Sequence, residues 1–153
     1  MYPPRQLIPG WLYAGATHLL VGGPASGKST LARAVMDLIP GAVLYRGDAP
    51  LLADLDDVTE RVPLIVIDDL HARIGDESSV ADVASVAERL RALAGRTGAA
   101  VLATTTTAKT GRAQRGSSVI LSAFDVAIDL GDGSAFQVIK CKYATHGRAP
   151  VAA

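Results

Sequence analysis

The chain has 153 residues, 49% of them hydrophobic, and carries 15 Lys/Arg against 15 Asp/Glu. That length fits one domain spanning 1–153 with a real core, and zero formal net charge excludes a global basic field drawing the molecule onto nucleic acid. A lone cysteine, Cys141, excludes an intrachain disulfide framework, and no apolar stretch approaches the ~20 residues of a membrane span.

The N-terminal MYPPRQLIPGW has no apolar signal region. Together with the single thiol, this gives the expectation of a cytoplasmic protein without a membrane partner. Charge is unevenly spread: residues 1–100 hold nine Lys/Arg against twelve Asp/Glu, and residues 101–153 hold six against three. The C-terminal third is therefore mildly basic.

In chain order, THLLVG (17–22) is a short apolar run ending in glycine, the form of a buried parallel strand. A helix is expected from Lys28 to Leu38, with Leu31, Val35, Leu38 and Ile39 as its apolar stripe and Pro40-Gly41 as its stop. AVLYRG (42–47) reads as a second strand, and residues 50–61 as a short acidic helix or helical turn. PLIVIDD (63–69) is the most hydrophobic strand, and its unbroken apolar run predicts burial on both faces.

Val83, Val86, Leu90 and Leu93 recur at helical spacing in 79–94, with Ser79 and Asp82 as a capping pair and Gly95 and Gly98 closing the helix. AAVLATTTT (99–107) is a fourth strand, and residues 108–118 form an aperiodic loop with three cations. Residues 125–130 and 135–144, joined by GDGS, read as a terminal β-hairpin. Strands alternating with helices and ending in a hairpin predict an α/β fold with a mostly parallel sheet.

GGPASGKS (22–29) fits G-x-x-x-x-G-K-[ST] between that first strand and first helix. Glycines let the backbone turn its N–H groups inward toward phosphate oxygens, and the helix adds its positive end. Gly22, Gly23, Pro24, Ala25, Ser26, Gly27, Lys28, Ser29 and Thr30 are the expected nucleotide contacts. Lys28 is expected at the β- and γ-phosphates of ATP, with the Ser29 hydroxyl on Mg²⁺.

Asp68, ending the buried LIVID run, is the carboxylate expected to hold the Mg²⁺ shell, with Asp69 as helper or loop cap. Hydrolysis also needs a carboxylate that orients water. Asp48 is the candidate, with Asp76 and Glu77 as alternatives and a plain turn residue as the other reading of Asp48. His18, His71 and His146 show no metal-ligand spacing, so no zinc is assigned. Trp11 and Tyr13 are expected to pack under the sheet edge rather than stack on adenine.

The order of phosphate loop, AVLYRGD, LIVIDD, AVLATTTTAK, RGSS and terminal hairpin resembles the RecA-like P-loop ATPase core, most closely the RepA-type hexameric plasmid helicases. The resemblance runs from Ile8-Pro9 to about Arg148, with RGSS and its spacing from LIVIDD narrowing the field. It implies a twisted sheet of strand order 5-1-4-3-2 flanked by helices on both faces, and a homo-oligomer, ring or filament, acting on single-stranded DNA. It places Thr104 or Thr105 as a γ-phosphate sensor, Thr105 being preferred, and Lys109, Arg112 and Arg115 on the DNA-facing loop.

Lys140 and Lys142 in KCK resemble the Lys-x-Lys pair that reaches a neighbouring subunit's nucleotide in RecA-type recombinases. The alternative is a pair of charges guarding an edge strand. The connection from AVLYR to LIVID is shorter than in these relatives, and TTTT stands where RepA-type proteins commonly show a His pair. A stripped core without accessory domains is the expectation. A small P-loop kinase, or an ATP-binding regulatory module with slow turnover, are the competing functions.

Overall fold

The structure is a computed structural model, and it describes residues 5–23, 26–46, 62–68, 80–106, 122–131 and 136–143. Two short strands, β1 (Gln6–Ile8) and β2 (Leu12–Tyr13), form an antiparallel ribbon absent from the sequence expectation. It turns at Gly10, whose φ of 92° favours glycine. Next come β3 (Thr17–Gly22), α1 (Lys28–Leu38), β4 (Val43–Arg46), β5 (Leu64–Asp68), α2 (Val80–Thr97), β6 (Ala100–Thr106), β7 (Val126–Asp129) and β8 (Gln137–Cys141).

The main sheet has six strands in the order β4-β5-β6-β3-β7-β8. All neighbours are parallel except β7 and β8, which pair antiparallel. Counting from the THLLVG strand as the first, the parallel strands run 2-3-4-1-5, the expected order seen from its other edge. The sheet is mixed, with the hairpin strand β8 beyond β7.

Side-chain alternation sorts the core into two layers. Leu20, Leu64, Val66, Ala100, Leu102, Val126 and Ile128 face α1, whose Ala32 and Val35 join them. Leu19, Val21, Ile65, Ile67, Val101 and Ala103 face α2, which contributes Val86, Leu90 and Leu93. Both faces of β5 are buried, as its unbroken apolar run requires. Each fully buried Leu or Ile contributes roughly 1.5–3 kcal/mol relative to exposure.

Two details depart from the expectation. The buried face of α1 is Lys28, Ala32 and Val35, while Leu38 is 72% exposed. At 100° per residue Leu38 points roughly a quarter-turn away from that face. Gly95 does not close α2, which continues to Thr97. The stop falls at Gly98 (φ 75°), whose N–H donates to the Ala94 carbonyl at 2.9 Å. The Ser79–Asp82 cap and the acidic 50–61 segment lie outside the described residues.

Trp11 and Tyr13 are buried on the α1 side, with Trp11 edge-on to Phe136 at 5.5 Å between ring centroids. Buried His18 ties three strands together. The Tyr13 N–H donates to its Nε2 at 2.9 Å, and its Nδ1 donates to the Val101 carbonyl at 3.0 Å. That pattern is a neutral imidazole. Burial lowers its pKa to about 4, against the smaller opposing pulls of the Val101 carbonyl and Asp125.

Candidate functional site

The C-terminal ends of β3, β5 and β6 converge beside the start of α1, at the edge where open α/β sheets hold ligands. After Gly22 the chain reverses into α1 through Gly27, whose φ of 91° is left-handed. Gly22 admits no side chain: a Cβ there would lie 2.3 Å from the Ser26 Oγ. The Gly23 N–H donates to the Gly131 carbonyl at 2.9 Å, bracing the loop against the end of β7. Ser26, Gly27, Lys28, Ser29 and Thr30 line a cavity of about 260 Å³.

Lys28 is buried, and its Nζ donates to the Gly23 carbonyl at 3.1 Å. The Ser26 N–H donates to the same carbonyl at 3.2 Å. One peptide oxygen thus collects the two donors that a phosphate oxygen would attract. The first helical turn carries no acidic side chain to compete for an anion.

Asp68 sits across from this turn at the end of β5. Its Oδ2 accepts from the Ser29 hydroxyl at 2.9 Å and its Oδ1 from the Thr104 hydroxyl at 2.7 Å. The pairing expected from sequence, Ser29 with Asp68, is therefore brought together. Thr104, fully buried, is the threonine that joins them. Thr105 sits opposite Val21 in the register and belongs to the other face of β6 by alternation. The preferred sensor position thus stands one residue away from the one that contacts the carboxylate.

Among the described residues no group of three His, Cys, Asp or Glu could hold a metal by itself. A Ser29–Asp68 pair is instead the donor set for a Mg²⁺ ion whose other ligands are phosphate oxygens and water. The residues present fit such an ion, since both donors are oxygen and face each other at hydrogen-bond distance.

Lys140 and Lys142 lie at the opposite end of the sheet. The antiparallel register places Lys140 opposite Ala127 and Cys141 opposite Val126, the first residue of β7. Lys140 Nζ donates to the Ser122 carbonyl at 2.9 Å and to the Phe124 carbonyl. Burial lowers its pKa, Asp125 opposes that shift, and Arg91 and Lys142 add to it. Lys142 is exposed, with its Nζ 3.9 Å from Asp125 Oδ1.

Asp125 is itself buried and accepts from the Thr17 N–H at 3.0 Å and the Thr17 hydroxyl at 3.3 Å. Sequence reasoning assigned no role to Asp125 or to the Gly131 carbonyl. Both act through strand neighbours more than a hundred residues away in the chain, and no local motif signals them. Pro24, Ala25, Asp48, Asp69, Asp76, Glu77, Lys109, Arg112 and Arg115 lie outside the described residues, as do His71 and His146.

Among the described residues no helix is long and apolar enough to cross a membrane. Comparison of the sequence with protein-family models and with curated proteins gave no match.

Proposed function

We propose that this chain is a Mg²⁺-dependent ATPase of the RecA-like P-loop type, working as a homo-oligomer on single-stranded DNA. The observation that carries the nucleotide reading is the convergence of Lys28, Ser29 and Asp68 on one cavity edge, with Asp68 held from behind by Thr104. The strand order and the antiparallel strand beyond β7 support the RecA-like assignment.

In this reading Lys28 leaves the Gly23 carbonyl and binds β- and γ-phosphate oxygens, while the loop N–H groups and the positive end of α1 hold the same anion. Ser29 and Asp68 hold Mg²⁺, which when bound supplies neutralisation of the charge on the phosphate oxygens. Thr104 fixes the Asp68 carboxylate so that its second oxygen faces Ser29. Asp48 stays the candidate for orienting the attacking water, on sequence grounds.

A role for Lys140 and Lys142 in hydrolysis would have to be exerted on a neighbouring copy. Lys142 stands beside Asp125 and Thr17 at the start of β3, and Gly22 lies five residues further along, roughly 17 Å at ~3.3 Å per residue. Lys140 would first have to release the Ser122 and Phe124 carbonyls. DNA contact by Lys109, Arg112 and Arg115 rests on the resemblance and would be electrostatic.

Calorimetric titration of ATP with Mg²⁺ into the wild-type chain and Lys28→Ala tests the nucleotide reading. Binding in the wild type and its loss by ~100-fold or more in the variant is the expected result. Equal binding by both proteins would overturn it.

A further inference from the structure

The loop motif leaves position 26 open to many residues, because the backbone there does the work that the motif describes. In this chain the position holds a serine whose side chain has its own problem. Ser26 is 6% exposed, lines the cavity beside Lys28, and its Oγ is buried with no hydrogen-bond partner. The hydroxyl is wedged beside Gly22, where an added Cβ would come within 2.3 Å of it. The nearest strong acceptor in the loop, the Gly23 carbonyl, already receives the Ser26 N–H and the Lys28 ammonium.

A buried hydroxyl without a partner destabilises the folded state by the full cost of its desolvation. That cost persists only in a loop with nothing bound. An anion entering the cavity brings several acceptor oxygens to the wall that Ser26 lines, and takes Lys28 from Gly23.

We propose that the Ser26 hydroxyl is a phosphate-binding donor held unpartnered in the nucleotide-free chain, so that one oxygen weakens the empty loop and strengthens the loaded one. This rests on the reading of the loop as a phosphate cradle and adds a side-chain contact to it. The ligand class is the polyphosphate of a nucleotide, since the contact is to phosphate oxygen and not to base or sugar. Inorganic tripolyphosphate should therefore sense it as ATP does.

The test is Ser26→Ala, measured two ways. The ligand-free variant should melt about 3–6 °C above wild type, because an unsatisfied buried group has been removed. Its affinity for ATP with Mg²⁺ and for tripolyphosphate should fall about tenfold, the loss of one hydrogen bond to a charged acceptor. Ser26→Gly, which also lacks the hydroxyl and cannot crowd Gly22, should show the same loss of affinity.

Variants that bind both probes as tightly as wild type, while Lys28→Ala does not, would overturn the proposal and leave the cradle intact. A Ser26→Ala chain that melts below wild type would contradict the unpartnered state. A wild-type chain that binds neither probe would remove the cradle reading and the proposal with it.

Discussion

Thr104 and Thr105 are adjacent, both buried, and chemically identical, yet the fold assigns them to opposite faces of β6. Thr104→Val keeps the side-chain shape and removes the hydroxyl that donates to Asp68 Oδ1 at 2.7 Å. A hydrogen bond to a charged acceptor contributes about 1.5–3 kcal/mol. The lower end applies here, because Asp68 is only partly buried and water can solvate its freed oxygen. A loss of about 1.5–2 kcal/mol corresponds to a drop in Tm of about 3–8 °C for a domain of this size.

The functional consequence of Thr104→Val is larger than its stability cost suggests. With Oδ1 released, the carboxylate can rotate away from Ser29, so Mg²⁺-dependent ATP affinity should fall about tenfold while Mg²⁺-independent binding changes little. Thr105→Val removes a hydroxyl from the other face and should alter Tm by less than about 1 kcal/mol equivalent, with affinity unchanged. Thermal melts and titrations with and without Mg²⁺ read both quantities. A Thr105→Val chain that loses Mg²⁺-dependent affinity while Thr104→Val keeps it would refute the assignment.

Three further outcomes are expected. His18 is neutral in the fold with its pKa lowered from 6.5 to about 4, so its contribution is whole above pH 6.5 and is lost as pH falls toward 4. The loss reaches about 3 kcal/mol, and His18→Gln should flatten that part of a Tm-against-pH profile. Gly22→Ala should abolish nucleotide binding while leaving a folded chain, since the new Cβ would displace Ser26 at the cavity wall; retained affinity on titration would contradict this. Asp125→Ala strands the buried Thr17 N–H and should cost about 2–3 kcal/mol in denaturant unfolding, whereas Lys142→Ala, whose partner distance is 3.9 Å at an exposed site, should cost little.

Much of this architecture was legible because punctuation and period agree. β3 ends at Gly22 and α1 runs from Lys28 to Leu38, where glycine and Pro40-Gly41 bound clean apolar runs. The misreadings have physical causes. Leu38 is apolar but off the buried face, since hydrophobicity does not by itself fix the rotation of a helix. Gly95 sits inside α2 because an exposed helical glycine costs only about 1 kcal/mol against alanine and can be carried by packing elsewhere.

The phase of β6 was hidden for a different reason. A strand buried on both faces has no polar alternation to show which threonine points at Asp68. The bracing of Gly23 by Gly131 and the anchoring of Thr17 by Asp125 depend on β7 lying beside β3, a neighbour relation set by the sheet. The position of the lysine pair follows from direction alone. An antiparallel strand leaving the nucleotide end of β7 must return Lys140 and Lys142 to the opposite end.

The rate of ATP hydrolysis per subunit, measured across protein concentrations with and without single-stranded DNA, tests the central claim most directly. Lys28→Ala serves as the control for contaminating activity, and the Lys140→Ala, Lys142→Ala double variant tests action on a neighbouring copy. The account predicts a rate that climbs with concentration and with DNA, vanishes in Lys28→Ala, and collapses in the double variant. A rate that is flat with concentration, indifferent to DNA and untouched by loss of Lys28 would contradict it.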